Sequence, residues 1–140
     1  MNPQNIPKEF QNYPQWVCHD EHKRPINPHT GLPASVTDPT TWGTADQAQA
    51  AVDACKGVGT GFVLTATDPF ACIDLDACIA PDGTLTPFAQ EIGQGFNSWT
   101  ERSRSGRGLH VWIKGAVPGG GRRIPGVEVY SEARFIAMTG

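Results

Sequence analysis

The sequence predicts an α+β domain, with a mainly antiparallel sheet and two helices packed on one face of it. Short segments rich in aliphatic and aromatic residues alternate with turns that contain Gly, Pro and Asp, as is typical of antiparallel strands. Two other segments, at 45–56 and 87–96, place small and apolar residues at helical spacing. The chain has 140 residues, which is enough for one domain with one modest core.

The expected elements are separated by recognisable turn and cap residues. Residues 1–43 are rich in proline and are expected to be irregular, apart from a strand at 15–18. Thr44 is placed to cap the first helix, and Gly57 is placed to end it. The further elements expected are strands at 61–65 and 70–76 joined by a turn at 68–69, a helix at 87–96, a strand at 98–103, a tight loop at 105–108, a strand at 109–113, a flexible connection at 119–123 and one or two strands within 127–139.

Composition favours a folded protein of the cytoplasm without a membrane partner. Hydrophobic residues make up 39% of the chain and charged residues 18%, which is typical of a soluble domain. No apolar run approaches the roughly 20 residues of a membrane span, and the polar start is unlike a signal peptide. The cysteines form no CxxC pair, and Cys18, His19 and His22 lack a fourth ligand, so reduced thiols are expected and zinc is not.

Charge is unevenly distributed along the chain. Residues 1–100 contain 4 Lys and Arg against 11 Asp and Glu, a net charge of −7. Residues 101–140 contain 7 against 3, a net charge of +4. An acidic part suits metal and a basic part suits phosphate, although a short chain can acquire such an asymmetry by chance.

Asp74 and Asp76 are the first candidates for chemistry. They lie two residues apart in an apolar strand, so both carboxylates lie on one face while Ile73 and Leu75 face the core. Two carboxylates held so close repel each other unless a cation neutralises them, and Mg²⁺ or Mn²⁺ is the natural partner of such oxygens. The alternative is a strand end that turns polar as it leaves the sheet, because a bare DxD pattern is common.

His110 and the loop before it form the second candidate site. Leu109 and Val111 belong to the core face, so His110 is expected on the other face, that of the aspartates. The loop 103–108 (SRSGRG) offers backbone N–H groups, two hydroxyls and two guanidiniums, a set of donors that suits a triphosphate. The alternatives are a solvent-exposed histidine and a mobile hairpin.

Glu128 is the third candidate acid. Val127 and Val129 face the core, and a carboxylate within such an apolar strand is costly unless it is paired, bound to metal or at an edge. Arg134 follows on the same parity and is placed to reach phosphate, with a surface ion pair as an equally weighted alternative. Three acids that hold two metals beside phosphate donors are the equipment for in-line phosphoryl transfer to a 3′-hydroxyl.

With these residues in place, the sequence resembles the primase-polymerase branch of the archaeo-eukaryotic primase superfamily, in the form found in phage and plasmid replication proteins. Three blocks carry the resemblance in the family's order and spacing: 70–76 (FACIDLD), 103–111 (SRSGRGLHV) and 127–135, which begins with VEVY and ends with RF. The stretches 23–28 and 37–42 also resemble the family's N-terminal segment, so the similarity extends over nearly the whole chain.

The resemblance implies an RRM-like sheet as the catalytic core, and template-directed synthesis from nucleoside triphosphates with Mg²⁺ or Mn²⁺. His110 is implied as a nucleotide-binding residue, which suits a phosphate ligand better than a base. The third acid is often Asp in the superfamily and is Glu here. The residues implied at the metal site are Asp74, Asp76 and Glu128, and those implied at the nucleotide site are Ser103, Ser105, Gly106, Arg107, His110 and Arg134.

The resemblance also sets expectations about domains and partners. The whole chain is expected to be one primase-polymerase-like domain, with 1–43 as an N-terminal segment and 44–140 as the catalytic core. A DNA template and nucleoside triphosphates are the expected partners, in a bacterial or phage-infected cell. Because relatives usually continue with further helices, the chain is expected to be a fragment of a larger replication protein, with a helicase or helical primer-binding domain, or else a minimal descendant.

Two other functions compete with the enzyme. A metal nuclease or nicking initiator would need paired histidines and a tyrosine nucleophile; Tyr130 is near the site, but His110 has no such neighbour. An inactive primase-like module would need no third acid. It would bind nucleotide or single-stranded DNA through Arg104, Arg107, Arg122 and Arg123.

Overall fold

The computed structural model describes residues 2 and 5–140, which form two compact units. The first unit comprises Met1–Thr65 and Ala133–Gly140, and the second comprises Ala66–Glu132. The helices and strands, in chain order, are α1 (Lys8–Gln11), β1 (Trp16–His19), β2 (Pro25–Ile26), α2 (Ala45–Asp53), β3 (Gly59–Leu64), β4 (Phe70–Leu75), α3 (Pro87–Phe96), β5 (Thr100–Arg102), β6 (Leu109–Lys114), β7 (Gly121–Ile124), β8 (Val127–Tyr130) and β9 (Arg134–Met138), with a 3-10 helix at Pro39–Thr41.

The first unit is built on an antiparallel sheet with the strand order β2-β1-β3-β9. Its central strands are almost entirely buried, and Phe62 of β3 lies at the centre of an aromatic cluster. The ring centroid of Phe62 is 5.2 Å from that of Phe10 and 5.5 Å from that of Trp16, both in edge-to-face geometry. Such contacts add stabilisation beyond the area buried. Helix α2 contacts β1 and β3.

Helix α2 begins where the sequence predicted but ends earlier. The Thr44 hydroxyl accepts a hydrogen bond from the Gln47 amide, and the Gln47 side chain accepts one from the Thr44 amide, which completes a capping box. The predicted stop at Gly57 is wrong, because Cys55 already takes the left-handed conformation, with φ 59°. The Cys55 and Lys56 amides donate to the carbonyls of Val52 and Ala51, which closes the helix after Asp53.

No helix of residues 2 and 5–140 is long and apolar enough to cross a membrane.

The second unit is built on an antiparallel sheet with the strand order β5-β6-β4-β8-β7. Strand β4 lies at its centre and pairs with β6 on one side and β8 on the other. One face of this sheet is apolar and packs against Ala89 and Ile92 of α3. The sheet residues of this core are Ile73, Leu75, Leu109, Val111, Ile113, Val127 and Val129.

The α+β class and the antiparallel pairing are confirmed, but the strands form two sheets where one was expected. The strands at 59–64 and 70–75 follow each other closely, yet β3 pairs with β1 and β9, whereas β4 pairs with β6 and β8. Each sheet therefore has its own helix, α2 or α3. An RRM-like arrangement remains a prediction that rests on the resemblance.

Two segments are more regular than expected. The region before residue 44, expected to be irregular apart from one strand, also contains α1, β2 and the 3-10 helix. The flexible connection expected at 119–123 is wrong, because residues 121–124 form β7. A turn at Pro125-Gly126, with Gly126 at φ 78°, folds β7 back onto β8. The left-handed conformation of Gly126 is one that glycine adopts at little cost.

Candidate active site

The strand register places five ionisable residues in one row across the sheet of the second unit. Asp74 lies opposite His110 of β6 on one side and opposite Glu128 of β8 on the other. Directly opposed residues in antiparallel strands share a face, so the row continues to the outer strands. In spatial order, the row is Glu101, His110, Asp74, Glu128 and Arg123.

This row lies on the face opposite the apolar core. Ile73 and Leu75, the chain neighbours of Asp74, both belong to the core cluster that packs against α3. The same is true of Val127 and Val129 beside Glu128. The alternation that predicted one polar and one apolar face is therefore observed, and it brings Asp74, His110 and Glu128 together.

His110 lies between two carboxylates and is buried. Its Nδ1 atom is 3.2 Å from Oε1 of Glu101, and its Nε2 atom is 3.7 Å from Oδ1 of Asp74. The side chains of His110 and Glu101 are only 4% and 3% exposed, whereas that of Asp74 is 21% exposed. Asp74 is thus the part of this group that solvent and ligands can reach.

Glu128 is held by two neighbours on the same face. Its Oε1 atom is 2.7 Å from Nε of Arg123, and its Oε2 atom accepts a hydrogen bond of 2.9 Å from the Tyr130 hydroxyl. The Glu128 side chain is 9% exposed and that of Arg123 is 77% exposed. A nearly buried carboxylate needs such partners, since desolvation without them is costly.

Cys72 lies on the same face as Asp74, two residues before it in β4, so the pKa of its thiol depends on the charges of that face. Burial raises the pKa of the Cys72 thiol well above its usual range. The negative charges of Asp74 and Glu101 raise this pKa further. The face therefore carries negative charge that a bound cation would neutralise.

Asp76 lies just beyond the end of β4 and is exposed. Its amide donates a 2.9 Å hydrogen bond to the carbonyl of Gly126, in the turn between β7 and β8. Leu75 pairs with Leu109 and Val127, the first residues of their strands, so the turns before those strands lie at the same end of the sheet as Asp76. The structure thus places Asp76 beside two turns, one of which is the predicted triphosphate loop.

The loop 103–108 is a tight hairpin whose amides are largely used inside it. The amide of Gly106 donates to the Ser103 carbonyl, that of Arg107 to the Ser105 hydroxyl and that of Gly108 to the Ser103 hydroxyl. The amides of Gly106, Arg107 and Gly108 are thus engaged inside the loop, and the binding of a triphosphate by this loop stays a prediction. The side chains of Arg104, Ser105 and Arg107 are exposed and are accessible donors, while Ser103 is buried.

Gly108 brings this loop against the end of β4. A Cβ atom placed on Gly108 would lie 2.6 Å from the carbonyl oxygen of Leu75, closer than real Cβ atoms come. Only glycine permits this approach, which holds the hairpin beside the backbone that leads into Asp76.

Arg134 does not continue the strand that contains Glu128. It is the first residue of β9, in the other unit, where it pairs with Leu64. Strand β8 ends at Tyr130, and Ala133 takes the left-handed conformation, with φ 52°. The prediction that Arg134 lies on the same strand face as Glu128 is wrong, because it requires one continuous strand from Glu128 to Arg134. The nucleotide-binding role of Arg134 stays a prediction.

Two residues of the row, Glu101 and Arg123, were missed as members of the site by sequence reasoning. Hairpin symmetry could have found both. A hairpin centred on Ser105-Gly106 pairs residue 101 with His110, and one centred on Pro125-Gly126 pairs residue 123 with Glu128. The predicted tight loop at 105–108 is centred one residue later and would pair residue 103 with His110, so it did not reveal Glu101.

The carboxylates of this site are chemically suited to a hard divalent cation, but they are not close enough together to bind one as they stand. Carboxylates on one face are the ligands that Mg²⁺ and Mn²⁺ prefer. Within residues 2 and 5–140, however, no three His, Cys, Asp or Glu side chains form a group that could hold a metal ion as they stand. Both carboxylate oxygens of Glu128 are engaged by Arg123 and Tyr130, so its participation would require these contacts to change.

The α+β fold with antiparallel sheets is consistent with the class that the sequence motifs resembled, a phage-type primase-polymerase domain. A DNA primase-polymerase of Nitratiruptor phage NrS-1 is 37% identical to this protein over 95% of the chain, which confirms that resemblance. The aligned region spans only 20% of the phage protein's length. No family model matches the chain.

Proposed function

We propose that this chain is the catalytic domain of a DNA primase-polymerase, which transfers nucleotides from nucleoside triphosphates to a 3′-hydroxyl on a DNA template. The observation that carries the proposal is the register of β4, which sets Asp74 directly between His110 and Glu128. The likeness to the Nitratiruptor phage primase-polymerase supports it. A helicase or a helical primer-binding domain would be a partner in a longer protein, in the cytoplasm of a bacterial or phage-infected cell.

In this proposal, Asp74, Asp76 and Glu128 hold Mg²⁺ or Mn²⁺. Two such ions supply the activation of the attacking hydroxyl and the neutralisation of the leaving pyrophosphate. Asp74 and Asp76 are the more accessible of these acids. Glu128 would hold a cation with them only if its carboxylate were released from Arg123.

The remaining residues position the triphosphate. Ser105 and Arg107 donate to phosphate oxygens from the exposed side of the hairpin loop, and the Ser103 and Gly106 contacts maintain the shape of that loop. His110 presents Nε2 towards Asp74, and since Nδ1 donates to Glu101, Nε2 donates to a phosphate oxygen only in the imidazolium form, in which both ring nitrogens carry a proton. Arg134 is proposed as a further phosphate ligand, on the strength of the family resemblance alone.

A labelled-nucleotide extension assay on a DNA template tests the function. The wild-type chain should incorporate nucleotide with Mg²⁺ or Mn²⁺, and Asp74→Ala should reduce incorporation to background. Glu91→Ala is the matched control, since Glu91 is an exposed acid on α3 and should leave synthesis unchanged. An active Asp74→Ala protein would exclude the mechanism. Parallel reactions with and without primer, and with ribo- or deoxynucleotides, define the substrate.

A second candidate is a module that binds single-stranded DNA or nucleotide without catalysis. The observation that favours it is the pairing of Glu128 with Arg123, which satisfies the third acid without metal. This module would bind through its exposed arginines in a salt-sensitive way, with no effect of a chelator. Fluorescence-anisotropy binding in EDTA, together with absence of synthesis in the extension assay, would select it.

A further inference from the structure

The five-residue row contains a buried carboxylate that the proposed reaction does not use directly. Glu101 lies on β5, and its side chain is 3% exposed. Strand β5 is an edge strand of only three residues, whose other two residues, Thr100 and Arg102, are exposed. Burying a carboxylate costs free energy unless a charged or hydrogen-bonded partner compensates it.

One partner of Glu101 is the ring of His110. Glu101 lies directly opposite His110 in the pairing of β5 with β6, and Oε1 is 3.2 Å from Nδ1. An ionised carboxylate can only accept, so with Glu101 ionised this contact requires Nδ1 to carry the proton and donate it. The tight hairpin between the two strands fixes both backbones, and the pair is therefore set by the fold.

We infer that Glu101 is a positioning residue, which holds the His110 ring so that Nε2 is the atom presented to the triphosphate. With Nδ1 bound to Glu101, Nε2 lies 3.7 Å from Oδ1 of Asp74, the accessible acid of the row. A flip of the ring would break the bond to Glu101. A carboxylate behind a functional histidine fixes the orientation of its ring in the same way at metal sites. Nε2 then donates to a phosphate oxygen in the imidazolium form, in which both ring nitrogens carry a proton.

The effect of Glu101 on nucleotide binding rests on the proposed function, but the contact between Glu101 and His110 can be tested without catalysis. The full chain is labelled with ¹⁵N-histidine, and the signals of His110, one of four histidines, are assigned from His110→Gln. The wild-type protein should show a protonated Nδ1 with a slowly exchanging N–H. Glu101→Ala should lose that signal, while Glu101→Gln, whose amide oxygen still accepts, should keep it. Persistence of the slow N–H in Glu101→Ala would overturn the inference.

Nucleotide binding then tests the role. The dissociation constant for a deoxynucleoside triphosphate with Mg²⁺, measured by calorimetry, should rise about tenfold in Glu101→Ala, as is common for carboxylates behind a ligand. Glu101→Gln should restore most of the affinity. In a His110→Ala background, Glu101→Ala should change the affinity no further, because Glu101 acts through the ring.

A further loss of affinity in the His110→Ala background would show that Glu101 acts independently of His110, and would overturn the inference. If Glu101→Ala fails to fold, the isosteric Glu101→Gln variant and the wild-type spectrum still test the inference. A wild-type Nδ1 without a proton would exclude its hydrogen bond to Glu101. Absence of nucleotide incorporation by the wild-type protein bears on the proposed function instead, because the spectrum does not depend on synthesis.

Discussion

The Nε atom of Arg123 lies 2.7 Å from Oε1 of Glu128, so the third acid of the row is neutralised from the neighbouring strand. The two residues face each other across the hairpin of β7 and β8. A cation bound by Glu128 would replace this guanidinium as the counter-charge. Arg123 is therefore a natural probe of whether the row holds metal.

Arg123→Ala should destabilise the metal-free protein by about 1 kcal/mol, because it removes the counter-charge of a nearly buried carboxylate while the arginine itself is largely exposed. Mn²⁺ should then raise the melting temperature of Arg123→Ala more than that of the wild type. Arg122→Ala, on the adjacent β7 position, is the control and should resemble the wild type. Equal responses of the two variants to Mn²⁺ would contradict a metal site that includes Glu128.

The two glycines of the triphosphate loop should respond differently to substitution, because they are required for different reasons. Gly108→Ala forces a Cβ to within 2.6 Å of the Leu75 carbonyl oxygen, and should cost about 1–3 kcal/mol. Gly106 has φ 74° and open space around it, so Gly106→Asn, which tolerates that conformation, should cost less than about 1 kcal/mol. Urea unfolding gives both values; a larger loss at Gly106 than at Gly108 would contradict the described loop.

Truncation of the central strand's core side chain should be costly. Leu75 is 1% exposed and belongs to the apolar cluster of the second unit. Leu75→Ala should lower the free energy of unfolding by about 2–5 kcal/mol, through lost burial and the cavity it leaves. Ile124→Ala removes a side chain that is 62% exposed and should change stability by less than about 0.5 kcal/mol. Similar losses in both variants would place Leu75 outside a packed core.

Stability should fall at alkaline pH through Cys18. Burial raises the pKa of the Cys18 thiol from an ordinary value of 9.0 to about 11, and the thiol donates to the Ala48 carbonyl. Between these pH values the unfolded chain loses the proton first, so unfolding is favoured as pH rises. Cys18→Ala should remove a slope of up to about 1.4 kcal/mol per pH unit, measured by urea unfolding between pH 8 and 10.5.

Cys55→Ala is the control for this titration, because Cys55 is exposed. Its stability should depend on pH as that of the wild type does. If Cys18→Ala shows the same alkaline slope as the wild type, the thiol is not buried as described.

The sequence predicted best what local alternation and turn residues encode. Period-two patterns around Asp74, His110 and Glu128 assigned each side chain to the correct face, and Thr44 marked the correct start of a helix. The limits of α3 were also predicted. These features depend on neighbours along the chain, where propensity and hydrophobic patterning act directly.

The features that were missed depend on pairing between distant residues or on weak local patterns. Strand β7 is an exposed edge strand with glycine and two arginines, so it has no apolar alternation to reveal it, and only its pairing with β8 makes it a strand. The division into two sheets follows from the partners of β3 and β4, which are far away in sequence. Arg134 was assigned to the face of Glu128 because the left-handed turn at Ala133 could not be seen.

Strand β4 lies at the centre of its five-stranded sheet, and its residues 72–75, which include Asp74, are paired on both sides. Its amide protons should exchange with solvent only when the sheet itself opens, whereas the hairpins at its end can open alone. Asp74 therefore lies on backbone that is paired on both sides within the sheet. The loop 103–108 lies in a hairpin that can adjust around an incoming ligand. The proposed reaction would thus combine a rigidly held acid with a phosphate-binding loop that can move.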